Sequence, residues 1–303
     1  MITKILTVLF ILFTFTNFVF SSNVTEKSGT TAFAFLKIGQ GARATAMADC
    51  YVGLSDDINA IYWNPAGVSQ LESRQILASH TIWFESINRS YLGYIHPPFK
   101  FGTLGGSINY LSVSGIEKRT GETDDTYDSI SVYDMAISFV WGKKFSDKIS
   151  LGAGLKIISE NLYTKAINGF AIDLGGLYKI NDTFLTGLSL QNIGSGSTDP
   201  LPMLLRAGIS KKLLQERLIL LSDIYLGIVD MTTSLSIGGE YKISNFLYPR
   251  IGYKYRMTNT NFDTLAELSA GFGLKYKKHQ FDYAFSPYGD LGFTHRLDFL
   301  VKF

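Results

Sequence analysis

The sequence contains few of the features that disulfide-linked, zinc-binding or nucleic-acid-binding proteins share. A single cysteine, Cys50, occurs in 303 residues, which excludes an intrachain disulfide and a zinc site built from cysteines. The 28 Lys and Arg side chains barely exceed the 26 Asp and Glu, whereas proteins that bind nucleic acid usually carry a clustered basic excess. Charged residues make up 18% of the chain, against about 25% in typical soluble domains. No nucleic-acid partner is expected.

Proline and long apolar runs are also scarce, whereas aromatic residues and glycine are abundant. The chain has 7 Pro and 29 Gly, together with 17 Tyr, 22 Phe and 3 Trp. Beyond residue 22 no apolar stretch reaches 18 uninterrupted residues, which excludes a bundle of transmembrane helices. This composition favours a β-rich protein.

Residues 1–21 have the pattern of a secretory signal peptide. Lys4 precedes an apolar stretch from Ile5 to Phe20, and Val19 and Ser21 stand where small residues mark a cleavage site. A buried strand or a membrane anchor is the alternative, but sixteen residues are short for a helical span of about 20. Since no cysteine follows the apolar stretch, a lipoprotein anchor is excluded. We expect an exported protein that begins near residue 22.

From residue 75 to the end, apolar and polar residues alternate. Every second residue in Ile149–Ile157 is apolar, and Leu268–Tyr276 and Phe281–Phe285 repeat the pattern. A period of two is the signature of β-strands, and turn residues such as Asn181 and Asp182 separate the runs. Fourteen strands are predicted, an even number, as expected for an outer-membrane barrel with both termini on the periplasmic side. The strands are predicted near 75–83, 87–96, 101–116, 129–144, 148–160, 168–181, 183–193, 201–213, 217–229, 232–244, 247–257, 264–277, 279–287 and 291–303.

Alternation alone fits a soluble two-sheet sandwich or a propeller as well as a transmembrane barrel. Two features favour a transmembrane antiparallel β-barrel over 75–303. The second face of the strands is rich in Gly and Ser as well as charge, which suits an interior crowded around a plug. The strand ends carry aromatic residues where membrane–water interfaces would fall. These are Trp83, Phe84, Tyr94, Trp141, Phe145, Tyr178, Tyr276 and Tyr288.

The last strand ends the chain on an aromatic residue. Leu297, Phe299, Val301 and Phe303 share one face of an alternating strand. A terminal Phe of this kind resembles the signal by which outer-membrane barrels are recognised for assembly. The expected partners are therefore outer-membrane lipid and the barrel-assembly machinery, and the expected location is the outer membrane of a Gram-negative-type cell.

Residues 22–74 do not alternate and are too few for an independent domain. The stretch Gly41–Gly67 is rich in Ala and Gly and predicts short helical turns. We expect this segment inside the barrel as a plug, because the strands' own side chains cannot fill a lumen of fourteen strands. Gly39–Ala44 matches half of a dinucleotide-binding fingerprint, but the βαβ unit which that site requires is missing. No cofactor or metal is expected.

Several segments resemble the N-terminal signature of PorV/PorQ-type outer-membrane proteins, which are related to FadL-like barrels. They are Leu36–Arg43, Met47–Val52, Asp56–Asp57 and Tyr62–Gly67. Where relatives usually show Gly-Gly-Ala, this chain has Ala48-Asp49-Cys50. The resemblance implies a fourteen-stranded FadL-like barrel with an N-terminal hatch. Later segments are similar as well: Leu201–Ser210, Ile237–Tyr241, Arg250–Tyr253, Phe281–Pro287 and Thr294–Leu297.

The candidate site residues lie in the plug and on the lumen wall. Charged plug residues are expected to pair with charged wall residues, because an unpaired charge in a narrow lumen is costly. The hatch motif comprises Gly41, Arg43, Asp56, Asp57, Asn64, Pro65, Ala66 and Gly67. The charge partners considered are Arg43, Asp49, Asp56 and Asp57 of the plug with Glu240, Arg250, Lys254, Lys275 and Arg296 of the wall. Gly105 and Gly106 could interrupt the strand ladder and open a lateral gap, or simply pack against the plug.

Two non-enzymatic functions follow from the resemblance. The first is binding or passage of hydrophobic small molecules such as long-chain fatty acids across the outer membrane. The alternative is a docking or shuttle component of a type IX-like secretion system, with secretion proteins as partners. The longest candidate loop, Gly115–Ser129, is modest in length and slightly favours passage. Catalysis is not expected, since Gly-x-Ser-x-Gly is absent and none of the four histidines lies in a nucleophile context.

Overall fold

The fold is a closed β-barrel. The computed structural model describes residues 27–303 except 28, 85, 120, 123–127, 197–198 and 258–266, so the proposed signal peptide lies outside the described residues. The described residues form fourteen antiparallel strands that pair in chain order, and β1 closes the ring by pairing with β14. This confirms the predicted fold class. No helix among the described residues is long and apolar enough to cross a membrane.

Each predicted strand overlaps an observed one. The largest difference is at β12, which begins at Leu268 and not near 264. β6 begins earlier than expected, and β8 begins later because Pro202 cannot donate a ladder hydrogen bond. The strands are β1 (Gln75–Ile82), β2 (Ile87–Phe99), β3 (Gly102–Lys118), β4 (Asp128–Lys144), β5 (Ile149–Leu162), β6 (Lys165–Asn181), β7 (Phe184–Ser195), β8 (Leu204–Leu213), β9 (Leu218–Gly227), β10 (Thr232–Tyr241), β11 (Leu247–Arg256), β12 (Leu268–Tyr276), β13 (His279–Pro287) and β14 (Phe293–Lys302).

The two faces of the wall are inverted relative to a soluble protein. On β14, Leu297 and Phe299 are exposed on the outside, whereas Arg296 and Asp298 are buried inside. Ile237 and Ile251 on neighbouring strands are likewise more than half exposed, at 55% and 63%. Apolar side chains outside and polar side chains inside are the arrangement of a barrel that lies in lipid. The sandwich alternative therefore does not apply.

The barrel has two different ends. Because Gln75 pairs with Lys302, the first and last strands begin and finish at the same end, which we call the termini end. Turns there are short, such as 182–183 and 277–278, whereas the opposite end, which we call the far end, has the longer connections 119–127 and 257–267. Short turns on the periplasmic side and longer loops outside are typical of outer-membrane barrels.

Residues 31–74, which we call the plug, thread through the lumen from the far end to the termini end. The backbone N–H of Ala32 donates to the carbonyl of Pro200 in a far-end turn (3.1 Å). Further along, Met47 and Trp63 have no solvent exposure, and the segment leads into β1 at the termini end. Only single turns of helix form, because the chain repeatedly bends to follow the wall. They are the helical turns Ala42–Thr45 and Ala60–Trp63 and the 3-10 segments Ala34–Lys37 and Pro65–Gln70.

The ladder does not break at Gly105 and Gly106, where the sequence suggested an interruption. Gly105 pairs with Ile95 and Val140 in regular register, and Gly106 follows without a shift. A side chain at Gly105 would overlap Ile95, so close packing against β2 accounts for this glycine. The irregularities of β3 lie elsewhere, opposite Pro97–Pro98 and at Ser114–Gly115. The wall is therefore continuous at the predicted gap.

Candidate functional site

Arg43 joins the plug to the wall through a bidentate ion pair. Its Nε lies 2.8 Å from Oε2 of Glu240 on β10, and its Nη2 donates to Oε1 at 3.0 Å. Nη1 also contacts Asp57 (3.0 Å) and Asp56 (2.6 Å) within the plug. The Arg43 and Glu240 side chains are only 5% and 4% exposed. Their pairing agrees with the expectation from the sequence, since a guanidinium and a carboxylate match in this geometry.

The network continues along the wall at the termini end. Glu240 also accepts from Nε of Arg250 (2.6 Å), and Nη1 of Arg250 reaches Asp282 on β13 at 2.6 Å. The Arg250 side chain has no solvent exposure. Two buried guanidinium groups thus share one buried carboxylate, and each has a further carboxylate of its own, Asp57 for Arg43 and Asp282 for Arg250. We call Arg43, Asp57, Glu240, Arg250 and Asp282 the ion network.

The plug members of the network stay charged at neutral pH. Burial acts to raise the pKa of Asp57, but the Arg43 guanidinium outweighs it and holds that pKa below its ordinary value. Burial acts to lower the pKa of the Arg43 guanidinium, but the carboxylates of Asp56 and Glu240 outweigh it and raise that pKa. Arg43 and Asp57 therefore each stabilise the charged form of the other, and both remain ionised within the plug.

A second set of contacts holds the middle of the plug. Asp49 pairs with Lys254 on β11, and Arg296 on β14 donates to the hydroxyl of Thr45. Burial acts to raise the pKa of Asp49, but Lys254 prevails and lowers it. Oδ2 of Asp298 accepts the backbone N–H of Ala42 at 2.7 Å. Asp49 and Lys254 are both among the candidate charge partners named from the sequence, which did not say which residues would pair.

Other wall residues form hydrogen bonds with the plug backbone, and no sequence pattern identifies these residues in advance. Oδ2 of Asp223 on β9 accepts the N–H groups of Tyr51 (2.7 Å) and Val52 (2.8 Å). Arg89 on β2 donates to the carbonyl of Gly39 at 2.6 Å. Gln191 on β7 donates to the carbonyl of Tyr62. Their partners are main-chain groups of the plug. The course of the plug backbone through the lumen therefore determines which inward polar residues of the wall form hydrogen bonds with it.

The Asn64–Gly67 motif forms a close contact between plug and wall. Oδ1 of Asn64 accepts the N–H of Ala66 (3.1 Å) and begins the 3-10 segment Pro65–Gln70. Its Nδ2 donates to the carbonyls of Val52 and Gly176, each at 3.1 Å. The motif thus connects the plug to itself and to β6.

Wall glycines make room for this segment. A side chain at Gly152 on β5 would overlap the backbone of Pro65, and one at Gly175 on β6 would overlap Asn64. Gly67 lies against Ser55, and Gly41 has φ 86°, a left-handed conformation that favours glycine. Pro65 and Asn64 therefore lie against a part of the wall where glycines leave room for their backbone and side chains.

The bend after Thr45 is formed without the glycines that relatives usually have. Ala48 and Asp49 have φ of 57° and 62°, in the left-handed region that costs a non-glycine residue about 1 kcal/mol. A side chain at Gly252 on β11 would overlap this backbone. The Asp49–Lys254 pair lies at the same bend and holds it in place.

A cavity between plug and wall is lined mostly by polar residues. It has a volume of about 520 Å³ and lies toward the far end, where β8–β11 face the plug. The Arg206 guanidinium stands between the rings of Trp63 (4.7 Å) and Tyr225 (4.8 Å). Charged and hydroxyl side chains make up most of the remaining lining, Lys254 among them. Such a lining is unsuited to an aliphatic chain, which binds in apolar pockets.

The apolar part of the plug is packed instead of hollow. Phe33 and Leu36 lie against Leu111, Ile158 and Ala171 of β3, β5 and β6 near the far end. Phe33 is 1% exposed, and Ile158 is fully buried. These side chains close the far end of the lumen above β3–β6.

The turns at the termini end form a basic rim. It consists of the exposed or half-exposed charged side chains in those turns, in the approach to β1 and in the three strand residues on either side of each turn. The acidic members are Glu72, Asp147, Asp182 and Glu216. The basic members are Arg74, Lys100, Lys143, Lys144, Lys148, Lys179, Lys211, Lys212, Arg217, Lys242, Lys275, Lys277, Lys278 and Lys302. The far-end turns 196–203, 228–231 and 288–292 contain Asp199, Asp230 and Asp290 and no Lys or Arg.

The remaining candidates lie on the outer surface. Leu297 and Phe303 point outward from β14 together with Phe299 and Val301, as the alternation predicts. His80 contacts Ser90 at 3.2 Å on the same side of the wall, and among the described residues no carboxylate bonds this imidazole. Within the described ranges, no three His, Cys, Asp or Glu side chains converge to hold a metal ion.

Comparison with solved structures gives the fold. The Pseudomonas putida toluene transporter TodX is 14% identical, with a TM-score of 0.66 over 88% of this chain and 99% of that one. The Ralstonia pickettii toluene transporter TbuX is 13% identical, with a TM-score of 0.59 over 87% and 97%. A Pseudomonas aeruginosa FadL homologue is 12% identical, with a TM-score of 0.53 over 87% and 97%. These proteins share the FadL-like barrel.

Sequence comparison gives the family. No curated protein matches the chain. The family described as type IX secretion system protein PorV matches residues 21–195, which is more than half of the chain and includes the whole plug and the first seven strands. Together with the FadL-like barrel, this match identifies the chain as a member of the PorV family of outer-membrane barrels.

Proposed function

We propose that this protein is a plugged, non-conducting outer-membrane component of a type IX-like secretion system, where it binds other secretion proteins. The observation that carries the proposal is the ion network. Arg43 and Arg250 are buried at the termini end and share Glu240, so withdrawing the plug would break the buried ion pair between Arg43 and Glu240. A path through the lumen is therefore closed in the resting protein.

The chemistry of the cavity supports docking over passage. A protein that passes hydrophobic molecules needs an apolar pocket next to the plug, since such ligands bind by burying apolar surface. The cavity beside Arg206 and Lys254 is lined mainly by charged and hydroxyl groups. This observation reverses the slight preference that loop length gave to passage.

Passage of hydrophobic small molecules, such as long-chain fatty acids, is the second candidate. The apolar cluster around Phe33 and Leu36 favours it, because this is the apolar surface that a molecule entering at the far end would meet first. The described toluene transporters use the same fold. Passage would require this cluster to separate and the ion network to open in turn.

Deletion of the gene in its source organism separates the two candidates. Secreted protein in the culture medium and uptake of radiolabelled oleate are measured in the same strains. We expect secretion to fall and to be restored by the wild-type gene, and oleate uptake to stay at the parental level in all strains. Normal secretion combined with reduced uptake would overturn the proposal in favour of passage.

A further inference from the structure

Part of the basic rim turns inward and lines an open basin under the plug. Lys144, Lys179 and Lys212 lie two residues beyond Gly142, Leu177 and Ser210, which face the lumen. Lys148 completes the set in the turn between β4 and β5. The four lysines line a basin of about 610 Å³, together with Asp147 and Asp182.

We propose that this basin docks an acidic polypeptide segment of a partner protein. The inference deepens the proposed function, on which it rests, by naming the chemistry of one partner. Lys144 and Lys148 have no carboxylate within ion-pairing distance among the described residues. A segment that carries several carboxylates would satisfy them together.

The acidic groups already in the basin are easily exchanged. Lys179 pairs with Asp182 at 2.7 Å, and Lys212 pairs with Glu216 at 3.2 Å, but these carboxylates are 91% and 60% exposed. Exposed ion pairs contribute little to stability because water competes for both partners. An incoming carboxylate can therefore replace them at low cost.

The direction of the lysines argues for a polypeptide instead of lipid. Lys143 and Lys211 point outward and lie over the rings of Phe145 (5.8 Å) and Phe184 (5.8 Å), which is the arrangement of side chains at a lipid headgroup interface. The basin lysines face the lumen axis on the other side of the wall. Headgroups in the bilayer cannot reach them, whereas a segment from the aqueous side can.

The basin also touches the plug. Gln70 forms part of its lining, and Nε2 of Gln70 donates to the carbonyls of Leu54 and Ser55 at 3.0 Å each. The 3-10 segment that ends at Gln70 packs on β4, β5 and β6. A segment bound in the basin would therefore contact the plug where it joins the wall.

The test compares two variants of equal charge. The basin variant carries K144Q, K148Q, K179Q and K212Q, and the control carries K100Q, K143Q, K211Q and K277Q at rim positions that do not line the basin. Binding of a fluorescein-labelled deca-glutamate peptide to the full chain in detergent is measured by anisotropy at two salt concentrations. We expect the basin variant to bind about tenfold more weakly or worse and the control to stay within about threefold of wild type.

Three results would overturn the proposal: equal weakening in both variants, no weakening in the basin variant, or weakening in the control alone. The last result, accompanied by reduced flotation with phosphatidylglycerol vesicles, would assign the rim to lipid. Unchanged heat-modifiable migration of both variants in electrophoresis shows that they fold. Because the peptide assay does not involve secretion, failure of the proposed function is observed separately in the deletion strain.

Discussion

Glu240 is the residue on which the closed lumen most depends. It is one buried carboxylate between two buried guanidinium groups, one from the plug and one from the wall. Without Glu240, Arg43 keeps Asp57 and Arg250 keeps Asp282. Each guanidinium nevertheless loses an ion pair in a medium that solvates charge poorly. The stability of the barrel therefore depends on the plug remaining in the position that the cluster holds.

Glu240→Gln should destabilise the protein by about 3–5 kcal/mol, because Arg43 and Arg250 would each lose their shared anion. The measurement is the urea midpoint of the refolded barrel in lipid or detergent. Glu216→Gln is the control, since Glu216 belongs to an exposed pair and should change stability by about 1 kcal/mol or less. Similar losses in the two variants would mean that burial of the network has no energetic consequence.

Gly152→Ala should displace the plug, whereas Gly176→Ala should not. A methyl group at Gly152 would overlap the backbone of Pro65, but one at Gly176 would lie 3.7 Å from the Leu151 side chain. We expect a loss of about 1–3 kcal/mol for the first substitution, typical of overpacking, and little change for the second. Limited proteolysis within residues 31–74 reports the displacement. Equal protection of the plug in both variants would contradict the close contact.

At the scale of elements, alternation was sufficient to predict the wall. Lipid outside and a polar lumen inside impose a strict period of two, so fourteen strands could be predicted from sequence with small errors at their ends. The start of β8 was misjudged because Leu201 continues the apolar pattern, while Pro202 removes a ladder donor. For Gly105 the sequence allows either a break in the ladder or packing against the plug, and in the structure this glycine makes room for the Ile95 side chain of the neighbouring strand.

The sequence predicts which segment forms the plug, but not the course that its backbone takes through the lumen. Its charges Arg43 and Asp49 could be matched in advance to opposite charges on the wall. Asp223 and Arg89 could not, because they bond plug carbonyls and N–H groups, which carry no residue-specific signal. The polar character of the cavity was also invisible, since it depends on which inward side chains the plug leaves uncovered.

As an element, the plug should lose its Asp49–Lys254 contact in acid. The pKa of Asp49 is held below its ordinary value of 3.8, so its pairing contributes fully above about pH 4 and is lost as the pH falls through the lowered value. The difference in urea midpoint between wild type and Asp49→Asn should therefore be constant from about pH 8 to 5 and should close below about pH 4. A difference that closes near pH 6 would indicate the opposite sign of the shift.

At the scale of the whole molecule, the barrel is asymmetric in height and in charge. β3, β4 and β6 have 17 residues each, whereas β1 has 8, and about 9–11 suffice to cross the hydrocarbon core. The longer strands therefore extend beyond the membrane on the side of the far end. The opposite end presents fourteen basic against four acidic rim side chains, so the two ends offer different surfaces to different partners.

The ion network, the packed apolar cluster and the glycine-lined contact at Asn64 together describe a barrel that is occluded along its length. Electrical conductance of the purified wild-type protein in a planar lipid bilayer tests this claim most directly. We expect no sustained current from wild type and intermittent openings from Glu240→Gln under the same voltage. A steady, ohmic current through the wild-type barrel would contradict the account.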